Sequence, residues 1–349
     1  IGDVSVNSLL YADDIILLSS TQSGLQKSLD VLNDFCSSWK LEVNKQKSKV
    51  IVFNSNGKTY LNSFKINDAY IETVKSYCYL GITLKYTGNI NVSTSLLMEK
   101  GRKAWFKIKK NIGLNNPCNL LEKLFDTLVS PIILYGCEVW GAYSNLKDTD
   151  PYEYLHIKFI KEILGIHSKA TNVACLSELN RYPLREKVKF LILKFRDHLS
   201  NLDNSLVNKI FNNLPPSNRW MTTTNQWIRE LGFNYITHNT TNSIKYLSNF
   251  KQRIFDQALQ NRSSTLTENN KLSFYNTICQ FNQRPPYVDI CRFKSDRSII
   301  CKYRLSAHCL AIERGRYNNI PRSERICLKC NLSQIEDEMH FFIPVSYTH

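Results

Sequence analysis

The sequence predicts an α+β unit over residues 1–88 followed by a mainly α-helical body. Three observations carry this. Apolar runs between residues 3 and 85 are short and broken by turn dipeptides, as strands are. From about residue 90 the apolar residues instead recur at three- and four-residue spacing. Gly113 and Gly165 then stand where helices of that period need a left-handed stop.

Taken in order, "SLLYADDIILLSS" (residues 8–20) reads as two strands joined by a tight turn at Ala12–Asp14. Thr21 or Ser23 can cap the helix that comes next, with Leu25, Leu29, Leu32, Phe35 and Trp39 on one face. "KVIVFN" (49–54) is a strand, "FKIN" and "YIETV" form a hairpin around Asn67–Asp68, and "YCYLGITL" (77–84) is a strand pair broken at Gly81. Helices are expected over 92–112, 118–135, 152–165, 184–200 and 296–315. Residues 201–290 are Asn-rich helical or linker sequence, with "NLPPSN" and "QRPP" as turns.

Composition bounds the function. With 43% hydrophobic and 21% charged residues over 349 positions, the chain has the make-up of a globular protein with a sizeable core. The apolar run "TLVSPIILYG" is only half the roughly 20 residues that cross a bilayer, and it holds a proline. A membrane helix is therefore not expected. Eleven scattered cysteines, an odd number, point to reduced thiols and an intracellular setting. The net charge of +15 is uneven: residues 1–90 carry 9 Lys/Arg against 8 Asp/Glu, whereas residues 144–349 carry 29 against 18. A basic body of this kind fits a polyanion, most simply nucleic acid. The first residue is not Met, and a longer protein is expected.

Asp13 and Asp14 sit between apolar strands. If buried, two adjacent carboxylates would have to take up a proton or a cation, because desolvation and mutual repulsion both oppose the doubly charged form. A divalent ion such as Mg²⁺ is the natural compensation, since it takes one or two protein carboxylates and completes its shell with phosphate and water. The simpler alternative is a solvated turn, where Asp is common.

In this setting "YADD" resembles the catalytic hairpin of reverse transcriptases. Segments further along the chain agree with this, and in the right order. "LEVNKQKSKVIVF" resembles that family's N-x-x-K-[ST] segment, and "YLGITL" its primer-grip hairpin. "SPIILYGCEVWG" and "HIKFIKEILGI" resemble the region after the polymerase core in non-LTR, LINE-like retrotransposon proteins. "RLSAHCLAIERGRY", with "RICLKC" and "EDEMHFF" after it, resembles their C-terminal cysteine–histidine segment. The resemblance implies half of a reverse-transcriptase palm with its YADD hairpin over 1–88 and a helical thumb and connection over 89–200. The Asn-rich region comes next over 201–290, then a basic segment with a partial zinc-knuckle-like motif over 291–344. The closing "VSYTH" (345–349) resembles an in-frame translation of a sequencing-library adaptor.

The same resemblance implies RNA-templated DNA synthesis by two-metal nucleotidyl transfer with Mg²⁺. Asp13 corresponds to the metal-binding aspartate and Asp14 to the second carboxylate. Tyr11 and Ala12 would line the dNTP and primer end, and Lys47 would act near the departing pyrophosphate. The implied partners are an RNA template, a DNA primer or target, and dNTP, in a cytoplasmic ribonucleoprotein and in the nucleus. A palm site also takes an aspartate from a strand earlier than the hairpin, and only ten residues precede "YADD" here. This chain alone is therefore expected to be inactive. The alternative is a catalytically dead, nucleic-acid-binding remnant of a retroelement. An unrelated metal enzyme is disfavoured, because the first 90 residues contain no histidine.

Two more segments carry chemistry. In "EKGRKAWFKIKK" (99–110), Lys100, Arg102, Lys103, Lys107, Lys109 and Lys110 surround Trp105, Phe106 and Ile108. Helical spacing lets the aromatics face a core while the cations fan out to a nucleic-acid backbone. From Arg292 to Lys329 there are ten Lys/Arg against three Asp/Glu; Arg304, Arg314 and Arg316, with Arg322 and Arg325, are candidate phosphate contacts unless they pair with acids such as those at 336–338. Cys327, Cys330 and His340 supply three soft ligands for Zn²⁺, where a closed structural site has four. The related elements place a second cysteine after the histidine. Here there is none, and His349 would have to serve.

Overall fold

The computed structural model describes residues 4–54, 63–144, 146–202, 205–233, 243–280, 282–330 and 332–342. The elements in chain order are β1 (Ser8–Tyr11), β2 (Asp14–Leu17), α1 (Gln22–Ser38), β3 (Lys49–Val50), β4 (Phe64–Ile66), β5 (Ala69–Thr73), β6 (Ser76–Tyr79) and β7 (Ile82–Lys85). The helices α2 (Asn91–Ile112), α3 (Cys118–Leu124), α4 (Ser130–Ile133), α5 (Cys137–Trp140), α6 (Pro151–Leu164), α7 (Asn172–Glu178) and α8 (Leu184–Ser200) succeed them. Then come α9 (Leu206–Asn212), α10 (Arg219–Glu230), α11 (Ser243–Glu268), α12 (Ser273–Ile278), α13 (Tyr287–Ile290), α14 (Lys294–Arg304), α15 (Ala311–Tyr317) and α16 (Glu338–Phe342). The chain divides into two compact units, Ile1–Leu97 with Arg196–Thr222, and Met98–Phe195 with Thr223–His349.

In the first unit three small sheets form: β1–β2, the set β3-β5-β4 with β3 and β5 parallel, and β6–β7. Thr21 caps α1 as expected, its hydroxyl accepting from the Gly24 N–H at 3.1 Å. The core is Leu29 of α1 against Val50, Phe64, Ile66 and Ile71, with Leu17, Leu25, Val43 and Val52 packed around it. Gln26 fastens helix to sheet by exchanging two hydrogen bonds with the Lys65 backbone, at 2.8 and 3.0 Å. The expected face of α1 holds only in part. Phe35 and Trp39 are exposed and lean on one another, and Cys36 takes the buried position instead. A 3.6-residue period starting at Leu25 and Leu29 reaches Leu32 and Cys36, not Phe35.

In the second unit α2 stops at Gly113 and α6 at Gly165, both left-handed with φ of 77° and 72°. Gly101, in the middle of α2, marks a close helix crossing: a Cβ there would lie 2.2 Å from Ile133 Cγ2. The expected helix over 118–135 is present but carries one π-helical turn at Phe125–Val129. Residues 201–290, expected as helical or linker sequence, hold α9 to α13, among them the 26-residue α11. One expectation is corrected: the helix expected over 296–315 is two, α14 and α15, broken by Ser306, which has a φ of 47°. Its hydroxyl donates to Glu338 at 2.5 Å, and this side-chain bond holds the break. All eleven cysteines are free thiols, and burial pushes Cys118 and Cys175 up to about 12, so both remain protonated at neutral pH. Among the described residues no helix is long and apolar enough to cross a membrane.

Candidate functional site

The Asp pair stands at the tip of the β1–β2 hairpin. Tyr11 pairs with Asp14, so the turn is two residues, Ala12 and Asp13, and Asp14 is the first residue of β2. Ala12 has a φ of 52°, which costs an L-residue about 1–2 kcal/mol and usually goes to Gly or Asn. Because side chains alternate along a strand, Asp14 shares a face with Tyr11, Leu9 and Ile16. Both carboxylates are exposed. Among the described residues no side chain bonds either of them. The compensation argument from burial therefore does not apply here. The strands are not core-anchored along their length either: Leu9, Leu10, Tyr11, Ile15 and Leu18 are exposed, and only the far end of β2, at Leu17, packs on the core cluster.

Lys47 lies in the connection before β3. Its N–H donates to Asn44 Oδ1 at 3.1 Å, and Ser48 returns to the Asn44 carbonyl through both N–H and hydroxyl. The N-x-x-K-S spacing is thus a side-chain-closed turn. The Tyr77 hydroxyl bonds the Lys47 carbonyl at 2.9 Å, tying this turn to β6 and leaving the lysine side chain exposed. No hydrogen bond or ion pair among the described residues joins Lys47 to Asp13 or Asp14.

On α2 the expected division of faces needs two corrections. Trp105 and Ile108 are buried, but Phe106 is 63% exposed among the cations. Lys109 turns inward to Glu162 at 2.8 Å, where the Trp105 indole N–H also donates at 2.8 Å. Lys103 pairs along the helix with Glu99. Lys100, Arg102, Lys107 and Lys110 are exposed.

The arginines of the C-terminal segment are mostly committed internally. Arg304 binds the fully buried Glu178 at 2.5 Å, between the rings of Tyr275 and Tyr287. Arg316 pairs with the buried Glu313 at 2.7 Å, and Arg314 approaches Glu336 at 3.6 Å. Arg325 donates to the carbonyls of Ile320 and Ile312. These side chains answer acids and carbonyls of the same unit before any phosphate. The excess of basic residues over 292–329 does not reveal the partner of Arg304, because Glu178 lies 126 residues away in sequence; Glu313 and Glu336, which face Arg316 and Arg314, lie nearby along the chain.

Cys327, Cys330 and His340 come together, with ligand atoms all within 4.8 Å of one another. A short antiparallel bridge, Ile326 to Ile335, sets the two cysteines in one turn, closed by Cys327 N–H to the Gln334 carbonyl at 2.8 Å. The Lys329 N–H donates to Cys327 Sγ at 3.4 Å and lowers that thiol. Asp337 caps α16 by accepting from the His340 N–H, which aims the imidazole at Cys330; Nε2 to Sγ is 3.3 Å. The Gln334 side chain takes the other ring nitrogen at 3.1 Å. Two thiols and an orientated imidazole suit a zinc ion. His349 lies outside the described residues.

Residues 2–84 match the family described as reverse transcriptase (RNA-dependent DNA polymerase). That match is confined to the first quarter of the chain, and over longer stretches the chain is similar to proteins of mobile elements. It is 25% identical over 213 residues to the RNA-directed DNA polymerase from mobile element jockey of Drosophila melanogaster, covering 57% of this chain and 22% of that protein. It is 30% identical over 172 residues to a transposon-derived protein of Caenorhabditis elegans, covering 46% of this chain and 58% of the relative. The chain thus spans between about a fifth and three fifths of these relatives. No solved structure matches it.

Proposed function

We propose that this chain contributes the YADD hairpin, the thumb and a nucleic-acid-binding C-terminal region to RNA-templated DNA synthesis by a larger non-LTR polymerase. The carrying observation is the pair of exposed carboxylates, without a side-chain partner among the described residues, at the tip of a hairpin whose two-residue turn is strained at Ala12, within the residues that match the family. Strain of this kind tends to be kept at functional sites. Asp13, with Asp14 beside it, would hold Mg²⁺. The bound ions supply activation of the primer 3′-hydroxyl and stabilisation of the leaving pyrophosphate. Tyr11 and Ala12 would line the nucleotide and primer end, and Lys47 the departing phosphates. The exposed apolar side chains of the hairpin are of the kind that further protein covers. One turn cannot hold two ions about 4 Å apart, so a further carboxylate from outside the hairpin is needed. The cations of α2 meet the template or primer backbone, and Cys327, Cys330 and His340 hold zinc. The working places are a cytoplasmic ribonucleoprotein and the nucleus.

The test is binding and primer extension with the purified chain. It binds an RNA–DNA primer–template in a salt-dependent manner and incorporates no dNTP. Templated incorporation would overturn the expected inactivity of the isolated chain. Failure to bind any nucleic acid would overturn the wider reading. Binding without chemistry also fits a catalytically dead remnant, which the exposed cations of α2 support equally.

A further inference from the structure

We propose that Phe106 is a stacking platform for an unpaired base, so that the basic face of α2 receives a single strand or a strand end rather than a continuous duplex. This rests on the reading of α2 as a nucleic-acid-facing helix. Burying a phenylalanine stabilises a fold by about 1.5–3 kcal/mol, and here the chain forgoes that gain at 63% exposure. The exposure is not a matter of loose helix register. Trp105 is 3% exposed and bonded to Glu162, Ile108 is buried, and Gly101 abuts Ile133, so turning Phe106 inward would expel all three.

The surroundings of the ring point to its occupant. Residues three and four apart are neighbours on a helix, which places Arg102, Lys103 and Lys110 around Phe106. Glu99 is the one acid on this face, and its ion pair with Lys103 is exposed and therefore weak. A flat apolar ring framed by cations matches a polyanion that offers both phosphates and open π-faces. A duplex offers the phosphates but keeps its base faces in the stack. A single strand offers both.

The experiment measures binding of the whole chain to a labelled single strand and to a duplex of equal length, over a range of salt. Phe106→Ala weakens single-strand binding on the order of tenfold. It leaves duplex binding and the salt slope essentially unchanged, and Phe106→Tyr retains wild-type affinity. A strand carrying 5-iodouracil cross-links to Phe106 on irradiation, located by peptide mass spectrometry. Equal loss on both ligands, or no loss on the single strand, overturns the proposal. The double change Lys103→Glu with Lys107→Glu tests the underlying reading separately: it weakens binding to both ligands and flattens the salt slope. If that change has no effect, α2 does not face nucleic acid, whatever Phe106 does.

Discussion

His156 lies 3.1 Å from Glu153, and neither side chain has any exposed surface. The other ring nitrogen of His156 accepts from Arg181 Nε at 3.2 Å. This network assigns a neutral imidazole whose Nδ1–H donates to the Glu153 carboxylate, because a proton on Nε2 would confront the guanidinium. Arg181 is in turn held by Asp126 and Glu122, and Glu153 also accepts from the Arg185 N–H at 2.9 Å.

This arrangement makes stability depend on pH. Burial, the largest cause, lowers the His156 pKa, aided by the Arg181 charge. A histidine that loses affinity for its proton on folding contributes stability fully present above its unfolded value of about 6.5 and lost as the pH falls below it. Burial opposes the ionisation of Glu153, but its bonds to His156 and to the Arg185 N–H hold its pKa below the ordinary value, so a second loss sets in below about pH 4.5. The melting midpoint should drop between pH 7 and pH 5, and His156→Gln should shrink that drop by a few degrees. Thermal melts across pH decide; parallel curves for the two proteins would refute the assignment.

Arg297 is fully buried and, among the described residues, its hydrogen-bond partners are all carbonyls. It donates to those of Ile163, Asn116, Cys291, Arg292 and Leu114 at 2.7–3.2 Å. It thereby ties the segment after α2, the end of α6 and the approach to α14 together. Arg297→Met leaves these acceptors without their donor and should cost about 3 kcal/mol or more. Arg297→Lys should recover little, since an ammonium cannot reproduce a planar five-donor fork. Urea unfolding midpoints measure both; a shift equivalent to under about 1 kcal/mol would show that the carbonyls find other donors.

Zinc should bind to the purified chain at about one ion per molecule through Cys327, Cys330 and His340. Three protein ligands leave the ion open to competition, so a strong chelator should remove it readily. Cys330→Ser should abolish the bound metal in elemental analysis after dialysis. Zinc content unchanged by that substitution would place the ion elsewhere.

Much of this molecule was legible in its residues. The turn within Ala12–Asp14, the hairpin at Asn67–Asp68, the break at Gly81, the Thr21 cap, and the stops at Gly113 and Gly165 are local signals acting over a few positions. So is the ordered series that links the opening hairpin to polymerases. The Cys327–Cys330–His340 cluster could also be anticipated, because its ligands fall within fourteen residues.

The contribution of the sequence by itself was therefore local: the turns, caps and helix stops, the catalytic-type motif, and the overall surplus of positive charge. Only tertiary structure decided which charges are free. Arg304 looks like a phosphate ligand in a run of basic residues, yet Glu178, 126 residues away along the chain, already claims it; Phe106 looks like core, yet the packing of Trp105 and Gly101 turns it outward. The physical reason is reach. Backbone conformation is set by neighbours along the chain, whereas the burial and pairing of a side chain depend on segments that only folding brings within a few ångströms.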